Sequence, residues 1–183
     1  MFLPPLRAAS RVLCFSALGV GLSWALSKPV CAAEYYVATT GNDASAGSKE
    51  QPFATLQKAL NLVAAGDTVW VRGGTYRITK PATSGAGINI TKSGTSDSNR
   101  IRIWAYPGEV PIFDFSQLEI SDTGYTTGVT VSGSWLHLKG LEICNVPMKT
   151  KSNSGVGVNE PAHDDIFELL NIHHISGTGL FIS

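Results

Sequence analysis

The stretches Gly128-Val-Thr-Val131, Gly155-Val-Gly-Val158 and Gly179-Leu-Phe-Ile182 each begin with a glycine and continue as a short apolar strand. Their glycines lie 27 and 24 residues apart. A recurrence at this period is typical of stacked supersecondary units, in which each unit buries its apolar face against the next. The repeat therefore predicts a solenoid.

A longer pair of segments repeats at an offset of 29 residues. When residues 138–146 are laid over residues 167–175, apolar positions meet apolar positions, as for Ile143 and Ile172. Beyond residue 80, strand-like runs alternate with clusters of Gly, Ser, Asn and Asp without helical periodicity, which argues against a parallel sheet with helical crossovers. An antiparallel sandwich and a parallel β-helix remain. Repetition in register favours the β-helix, where equivalent residues stack roughly 4.8 Å apart.

Residues 34–80 follow a different pattern, which predicts a strand, a capping helix and a second strand. Strands are predicted at 35–37 and 68–72 because apolar residues alternate there. Between them, apolar residues recur at the three- and four-residue steps of one amphipathic helix; they are Phe53, Leu56, Leu60 and Val63. Thr55 is the predicted N-cap, and Gly66-Asp67 the predicted end of this helix.

Residues 1–33 have the pattern of an export signal. Arg7 and Arg11 give a positive start, residues 12–26 are apolar, and Val30 to Ala33 offer small residues for cleavage. The apolar run is shorter than the roughly 20 residues of a membrane helix, although an uncleaved anchor is the alternative. We therefore predict a secreted protein, extracellular or periplasmic, with no membrane attachment after cleavage.

Removal of the signal leaves 11 basic and 14 acidic residues. A mildly acidic surface has no general attraction to nucleic acid, so no nucleic-acid partner is expected. Cys144 is then the single cysteine, and the sequence places no Cys or His at metal-ligand spacing beside it. Since Ile143 and Val146 flank it, we expect a buried apolar side chain, and no metal site is predicted in this chain.

Three segments resemble the start of secreted right-handed parallel β-helix proteins; they are residues 35–43, 51–60 and 66–76. Residues 140–143 and 171–180 are similar to polysaccharide lyase family 9, the pectate lyase L type. The resemblance covers essentially the whole chain after the signal. Its first part is shared by several glycan-active families, so it indicates the fold more specifically than the substrate.

The expected fold class is therefore all-β, a right-handed parallel β-helix with a short N-terminal capping α-helix. The predicted divisions are a signal peptide over residues 1–33, a capping region over 34–80, and β-helix coils over 81–183 that are truncated at the C-terminal end. Two alternatives for function stay open. One is a non-catalytic β-helix that binds polysaccharide or belongs to an adhesin, and the other is a β-helix glycoside hydrolase, which would need a suitable pair of carboxylates.

The resemblance implies cleavage of polygalacturonate, an acidic plant polysaccharide, by calcium-dependent β-elimination. Calcium held by carboxylates would act as the Lewis acid, and a lysine or arginine as the base. In the family these residues lie on coils that follow the Asn-x-His-His segment, here residues 171–174. We therefore assign no catalytic residue, expect no calcium to bind this chain, and expect the chain to be an N-terminal part that is inactive alone.

Two pairs of adjacent residues, Asp164-Asp165 and His173-His174, are of types that bind metals or take part in catalysis. Their positions in the sequence favour structural roles. Asp164 and Asp165 are adjacent, and neighbours on an extended strand point to opposite faces, so solvated turn residues are expected. His173 and His174 follow an Asn at a predicted strand end. They are expected to serve a turn and a stack of equivalent residues.

Alternation places cations and aromatic rings together on one outer surface. If Ile101, Ile103, Leu136 and Leu138 point inward, the residues between them point outward. Guanidinium and ammonium groups pair with carboxylates, and aromatic rings stack on sugars and cations. The candidate substrate-binding residues are Arg100, Arg102, Trp104, Trp135 and Lys139, with His137 beside them. The alternative is that the rings pack under a loop and the cations are ordinary surface charges.

Overall fold

The computed structural model describes residues 32–83, 85–119, 124–148 and 152–183. The predicted signal peptide lies outside the described residues except for Ala32 and Ala33. Within the described part of the chain, strands are arranged as successive coils around one apolar interior. This arrangement is a parallel β-helix.

The first strand, β1 (Glu34–Val37), is followed by one short helix, α1 (Leu56–Leu60). The first coil then contains β2 (Thr68–Val71), β3 (Gly74–Arg77) and β4 (Ala86–Ile90). A short 3-10 helix (Asp97–Asn99) precedes the second coil, which contains β5 (Ile101–Ala105), β6 (Pro111–Asp114) and β7 (Thr126–Val131). The third coil contains β8 (Leu136–Lys139), β9 (Glu142–Cys144) and β10 (Asn153–Val158). The fourth contains β11 (Ile166–Glu168), β12 (Asn171–His173) and β13 (Thr178–Ile182).

Equivalent strands of successive coils pair in parallel and form three sheets. The first sheet has the order β1-β2-β5-β8-β11, the second β3-β6-β9-β12, and the third β4-β7-β10-β13. The pairing of Val156 with Val129 and of Val156 with Leu180 reproduces the 27- and 24-residue spacings. The pairing of Ile143 with Ile172 reproduces the 29-residue offset. Parallel pairing throughout these strands confirms the β-helix and excludes the antiparallel sandwich.

Left-handed backbone conformations mark the corners between sheets. The repeated segment 138–146 is divided at Gly140 (φ 71°), between β8 and β9, and its counterpart 167–175 at Leu169 (φ 53°), between β11 and β12. These two residues are 29 positions apart, as are Asn145 and His174, which also have positive φ. A residue in this region turns the chain sharply, so each repeated segment contains parts of two strands on different sheets.

The interior consists of stacked apolar side chains contributed by all three sheets. Ile103 and Leu138 are buried register partners in the first sheet, and Phe113 and Ile143 are buried partners in the second. Each such side chain contributes roughly 1.5–3 kcal/mol through burial. Because their outward neighbours face solvent, the same register that builds the core also stacks polar and aromatic residues on the outer surface.

The capping helix is shorter than its apolar pattern predicts. Thr55 is the N-cap, since its Oγ1 accepts a hydrogen bond from the backbone N–H of Lys58 at 3.2 Å. However, α1 ends at Leu60 rather than at Gly66-Asp67. A turn then carries Val63 into the core, so the apolar stripe is buried although only part of it is helical. The Asp67 carboxylate accepts hydrogen bonds from two backbone N–H groups and belongs to the junction with β2.

Candidate functional site

The outer surface of the first sheet carries two parallel rows of polar and aromatic side chains. In one row, Trp104 lies between its register partners Trp70 and Lys139. In the adjacent row, Arg102 pairs with His137. We refer to these five residues, Trp70, Arg102, Trp104, His137 and Lys139, as the aromatic–cationic face.

Trp104 is at the centre of this face. Its ring centroid is 5.6 Å from that of Trp70 and 5.1 Å from that of His137, both in edge-to-face geometry. Arg102 Cζ and Lys139 Nζ each lie 5.8 Å from the Trp104 centroid, within cation–π range. The indole Nε1 of Trp104 is buried and has no hydrogen-bond partner among the described residues. Two cations therefore lie beside the ring of Trp104, whose indole N–H is an unpaired hydrogen-bond donor.

Glu168, on the fourth coil, offsets part of the positive charge of this face. Its two carboxylate oxygens lie 2.8 Å from Lys139 Nζ and 2.9 Å from His137 Nε2. The hydrogen bond from Lys139, with a smaller contribution from His137, holds the pKa of the Glu168 carboxyl below its ordinary value. Lys139 is thus paired with an acidic group of the next coil.

The aromatic surface extends beyond the residues that alternation in the sequence selected. Trp70 Nε1 donates a 3.0 Å hydrogen bond to Glu34, and its ring meets Tyr106 at 6.1 Å in edge-to-face geometry. Arg72 Cζ lies 4.7 Å from the centroid of Tyr106. The signal for Trp70 was present in the sequence, because it lies between two inward-pointing valines in the strand predicted at 68–72.

Arg100 and Trp135 occupy a separate corner that precedes β5 and β8. Arg100 is only 8% exposed, and its guanidinium bonds the Asp97 carboxylate at 2.9 Å and the backbone carbonyl of Asp164. Its Cζ lies 5.1 Å from the Trp135 ring centroid. The expected exposure of Arg100 on the outer face is therefore not observed. Trp135 has φ 57° and contacts the ring of His163 at 6.0 Å, so it belongs to the corner rather than to the alternating strand.

The two adjacent aspartates have different environments. Asp164 is exposed, and its carboxylate lies 2.8 Å from His163 Nδ1, in agreement with a solvated turn. Asp165 instead turns inward, where Oδ1 accepts the backbone N–H of Leu136 at 2.8 Å and Oδ2 is buried without a partner among the described residues. Burial raises the pKa of the Asp165 carboxyl. The expectation of a solvated turn residue is therefore wrong for Asp165, and the two carboxylates do not converge on one ion.

Within the described residues, one group of potential metal ligands is present, formed by Glu142, Cys144 and His173. Cys144 is 4% exposed, as its apolar neighbours predicted, and burial raises the pKa of its thiol. A thiol and an imidazole are poor ligands for calcium, which takes 6–8 oxygens. These residues therefore do not fit the calcium that the family resemblance implies.

The fold and this surface define a class: a parallel β-helix protein whose outer face combines aromatic rings with cations. Residues 35–183 match the family described as the Pel9A-like, right handed beta helix region. The chain belongs to this pectate lyase-like, right-handed β-helix family. No helix in the described part of the chain has the length and apolar character needed to span a membrane.

Three known proteins illustrate the similarity. Pectate lyase L of Paenibacillus polymyxa (strain SC2) is 29% identical over 177 residues, which cover 97% of this chain and 36% of that protein. The crystal structure of pectate lyase Pel9A has a TM-score of 0.63 at 28% identity, covering 81% of this chain and 35% of that chain. A rhamnogalacturonan lyase structure has a TM-score of 0.67 at 29% identity, covering 72% and 34%. The chain spans about a third of the length of these relatives.

Proposed function

We propose that this chain is the polysaccharide-binding β-helix of a secreted pectate lyase, in which an acidic plant polysaccharide lies across the aromatic–cationic face. The observation that carries the proposal is the placement of both Arg102 and Lys139 within 5.8 Å of the Trp104 ring centroid. Family membership and the names of two relatives, Pectate lyase L and pectate lyase Pel9A, support polygalacturonate as the polymer.

The chemistry of the face matches an anionic sugar chain. Guanidinium and ammonium groups form charge-assisted hydrogen bonds to carboxylates, and an aromatic ring offers an apolar surface for the face of a sugar. Arg102 and Lys139 supply these cations, and the ring of Trp104 supplies the apolar surface.

The lyase reaction proposed for the whole protein is calcium-assisted β-elimination, the reaction that the family resemblance implies. A calcium ion would supply Lewis-acid chemistry at the substrate carboxylate. The described residues provide no convergent set of oxygen ligands, because Asp164 and Asp165 diverge and the remaining group contains a thiol. The proposal therefore assigns polymer binding to this chain and assigns no catalytic residue within it.

The binding proposal is tested by affinity electrophoresis in gels that contain polygalacturonate. We expect retardation of the wild-type chain that weakens as salt is added, because exposed charges are screened. The double variant Arg102→Ala/Lys139→Ala should bind roughly three- to tenfold more weakly, since two charge-assisted contacts are lost. A Lys80→Ala/Lys92→Ala variant is the matched control, because it removes the same charge from exposed positions outside the face.

Equal loss of binding in the two double variants would show that net charge rather than the face holds the polymer. A gel with an uncharged plant polysaccharide provides the second control, and equal retardation there contradicts recognition of carboxylates. Cleavage is followed separately, by absorbance of unsaturated uronides after incubation with polygalacturonate and calcium. We expect no product from this chain by itself, and calcium-dependent product would place catalytic residues within it.

A further inference from the structure

The outer face of the second sheet brings together side chains of different coils that could bind a metal. Parallel pairing stacks Asp114, Cys144 and His173 in one row, on β6, β9 and β12. Glu142, two residues before Cys144, lies on the same outer side and reaches the histidine. Its Oε1 is 3.1 Å from His173 Nε2.

Ligand atoms of three residues converge at this point. One atom each from Glu142, Cys144 and His173 lie within 4.8 Å of one another. Zinc binds thiolate sulfur at about 2.3 Å, imidazole nitrogen at about 2.0–2.1 Å and carboxylate oxygen at about 2.0–2.2 Å. In tetrahedral coordination two such ligands are about 3.5 Å apart, so side-chain movements of about 1 Å would bring these three atoms to binding distance.

Neighbouring groups hold these ligands in place. Asn171 Nδ2 donates to Glu142 Oε2 at 3.3 Å, which orients the carboxylate. Asn145 Nδ2 donates to Asp114 Oδ1 at 3.0 Å and lies 3.5 Å from Cys144 Sγ. Outer groups of this kind orient metal ligands in known sites.

The next histidine hydrogen-bonds the ring nitrogen of His173 that points away from Glu142. His174, at a corner with φ 54°, places its Nδ1 2.5 Å from the Nδ1 of His173. A neutral imidazole has one N–H donor and one acceptor nitrogen. When Nδ1 of His173 donates to Nδ1 of His174, the Nε2 atom that faces Glu142 has a free lone pair for a metal. The two rings also meet edge to face, with centroids 4.7 Å apart.

We propose that Glu142, Cys144 and His173 bind a zinc ion on the outer face of the second sheet. Thiolate, imidazole and carboxylate are together the ligand types that zinc selects, whereas calcium and magnesium prefer oxygen alone. A water molecule completes the four-coordinate shell. The site lies on a different sheet from the aromatic–cationic face, so it does not depend on the function proposed for that face.

The site links the third and fourth coils. Glu142 and Cys144 belong to β9 and His173 belongs to β12, which are adjacent strands of the second sheet. A metal that binds the folded chain and not the unfolded chain raises the apparent stability. Zinc is thus expected to stabilise the stacking of the fourth coil on the third.

The test uses the full chain without a polyhistidine tag, prepared metal-free with its thiol reduced. We expect one equivalent of zinc to bind by calorimetry and to raise the melting temperature. Cobalt replaces zinc as a spectroscopic probe, and a thiolate-to-cobalt charge-transfer band is expected because Cys144 supplies sulfur. Cys144→Ser and His173→Gln should each weaken zinc binding by more than about tenfold, since each removes a ligand.

His163→Gln is the matched control, because His163 is a histidine paired with a neighbouring carboxylate outside the proposed site. It should leave zinc affinity and the cobalt spectrum unchanged. Equal weakening by His163→Gln and His173→Gln, or a cobalt spectrum without the sulfur band, would overturn the proposal. Circular dichroism verifies folding of each variant. If Cys144→Ser does not fold, the proposal is tested by the cobalt spectrum of the unaltered chain and by the zinc titration of His173→Gln.

Discussion

Lys139 Nζ lies 2.8 Å from Oε1 of Glu168, its register partner on the next coil. The same carboxylate faces His137 at 2.9 Å, so one acidic side chain occupies the basic groups at this end of the aromatic–cationic face. An anionic polymer that binds Lys139 must compete with Glu168. The ion pair therefore sets how available the cation is to a ligand.

Glu168→Gln should strengthen binding of polygalacturonate by about two- to fivefold, the range expected for removing one exposed ion pair. The amide keeps the size of the side chain and removes its negative charge. Affinity electrophoresis at several polymer concentrations measures the change. Glu119→Gln alters an exposed carboxylate outside the face and should have no effect. Weaker binding by Glu168→Gln would show that Glu168 contributes to the site instead of competing with it.

The Arg72–Glu109 pair predicts a loss of stability in acid. Arg72 Nη2 lies 2.7 Å from Glu109 Oε1, and the backbone N–H of Gly73 donates to Oε2 at 2.6 Å. These contacts, that of Arg72 foremost, hold the pKa of the Glu109 carboxyl below its ordinary value. A lowered folded-state pKa stabilises the fold above the unfolded-state pKa, and this contribution is lost as the pH falls through the folded value.

Glu109→Gln should therefore lower the melting temperature at pH 7, and the difference from wild type should shrink as the pH approaches 3. Thermal unfolding followed by circular dichroism across this range provides the measurement. Glu119→Gln again serves as the control and should show no such trend. A difference that stays constant from pH 7 to pH 3 would mean that the charge of Glu109 is not responsible.

Asp165 predicts a pH dependence of opposite sign. Burial raises the pKa of its carboxyl above the ordinary value, so the folded state binds more protons than the unfolded state between the two pKa values. Stability from this group is fully present below the unfolded-state pKa and falls as the pH rises through the folded value. Asp165→Asn retains an acceptor for the N–H of Leu136 and removes this loss of stability at higher pH.

The melting temperature of Asp165→Asn, relative to wild type, should accordingly increase between pH 4 and pH 7. Asp164→Asn changes the adjacent exposed carboxylate and should not produce the same increase. If the Asp165→Asn difference instead decreases over this interval, the charge of the buried carboxylate stabilises the fold, and its folded-state pKa is lowered rather than raised.

Gly155→Ala should destabilise the third sheet by roughly 1–3 kcal/mol, the usual cost of overpacking. A Cβ at this position would lie 2.4 Å from Ile172 Cγ2 and 2.7 Å from the backbone oxygen of Gly179. Gly124→Ala is the control, since a Cβ there meets no atom within 4 Å. Denaturant unfolding of the two variants measures the difference. Equal stability would show that the coils separate easily at this position.

Much of the fold could be predicted because a β-helix repeats its pattern along the chain. The spacings of Gly128, Gly155 and Gly179 became register pairings in the third sheet, and the 29-residue offset became pairings in the first two. The corners were not predicted. Leu169 takes a positive φ that its residue type disfavours, so only its alignment with Gly140 marks the turn.

The candidate sites, like the fold, could be predicted from the sequence only in part. Alternation placed Arg102, Trp104 and Lys139 on one outer surface, and the structure has them in contact. The same alternation failed for Arg100, because neighbouring loop groups at Asp97 and Asp164 surround its guanidinium. Whether an outward cation faces solvent depends on the loops beside it, which strand periodicity does not describe.

By itself, the sequence determined the architecture, because the repeat of apolar residues specifies which positions stack in the core and which face outward. Only the tertiary structure decided which side chains of different coils meet. Cys144 has no Cys or His at metal-ligand spacing in the sequence, yet parallel pairing places His173 beside it from 29 positions away. The physical reason is that a residue in a β-helix packs against a residue one coil away along the axis. Each such contact therefore depends on the number of residues in the whole coil.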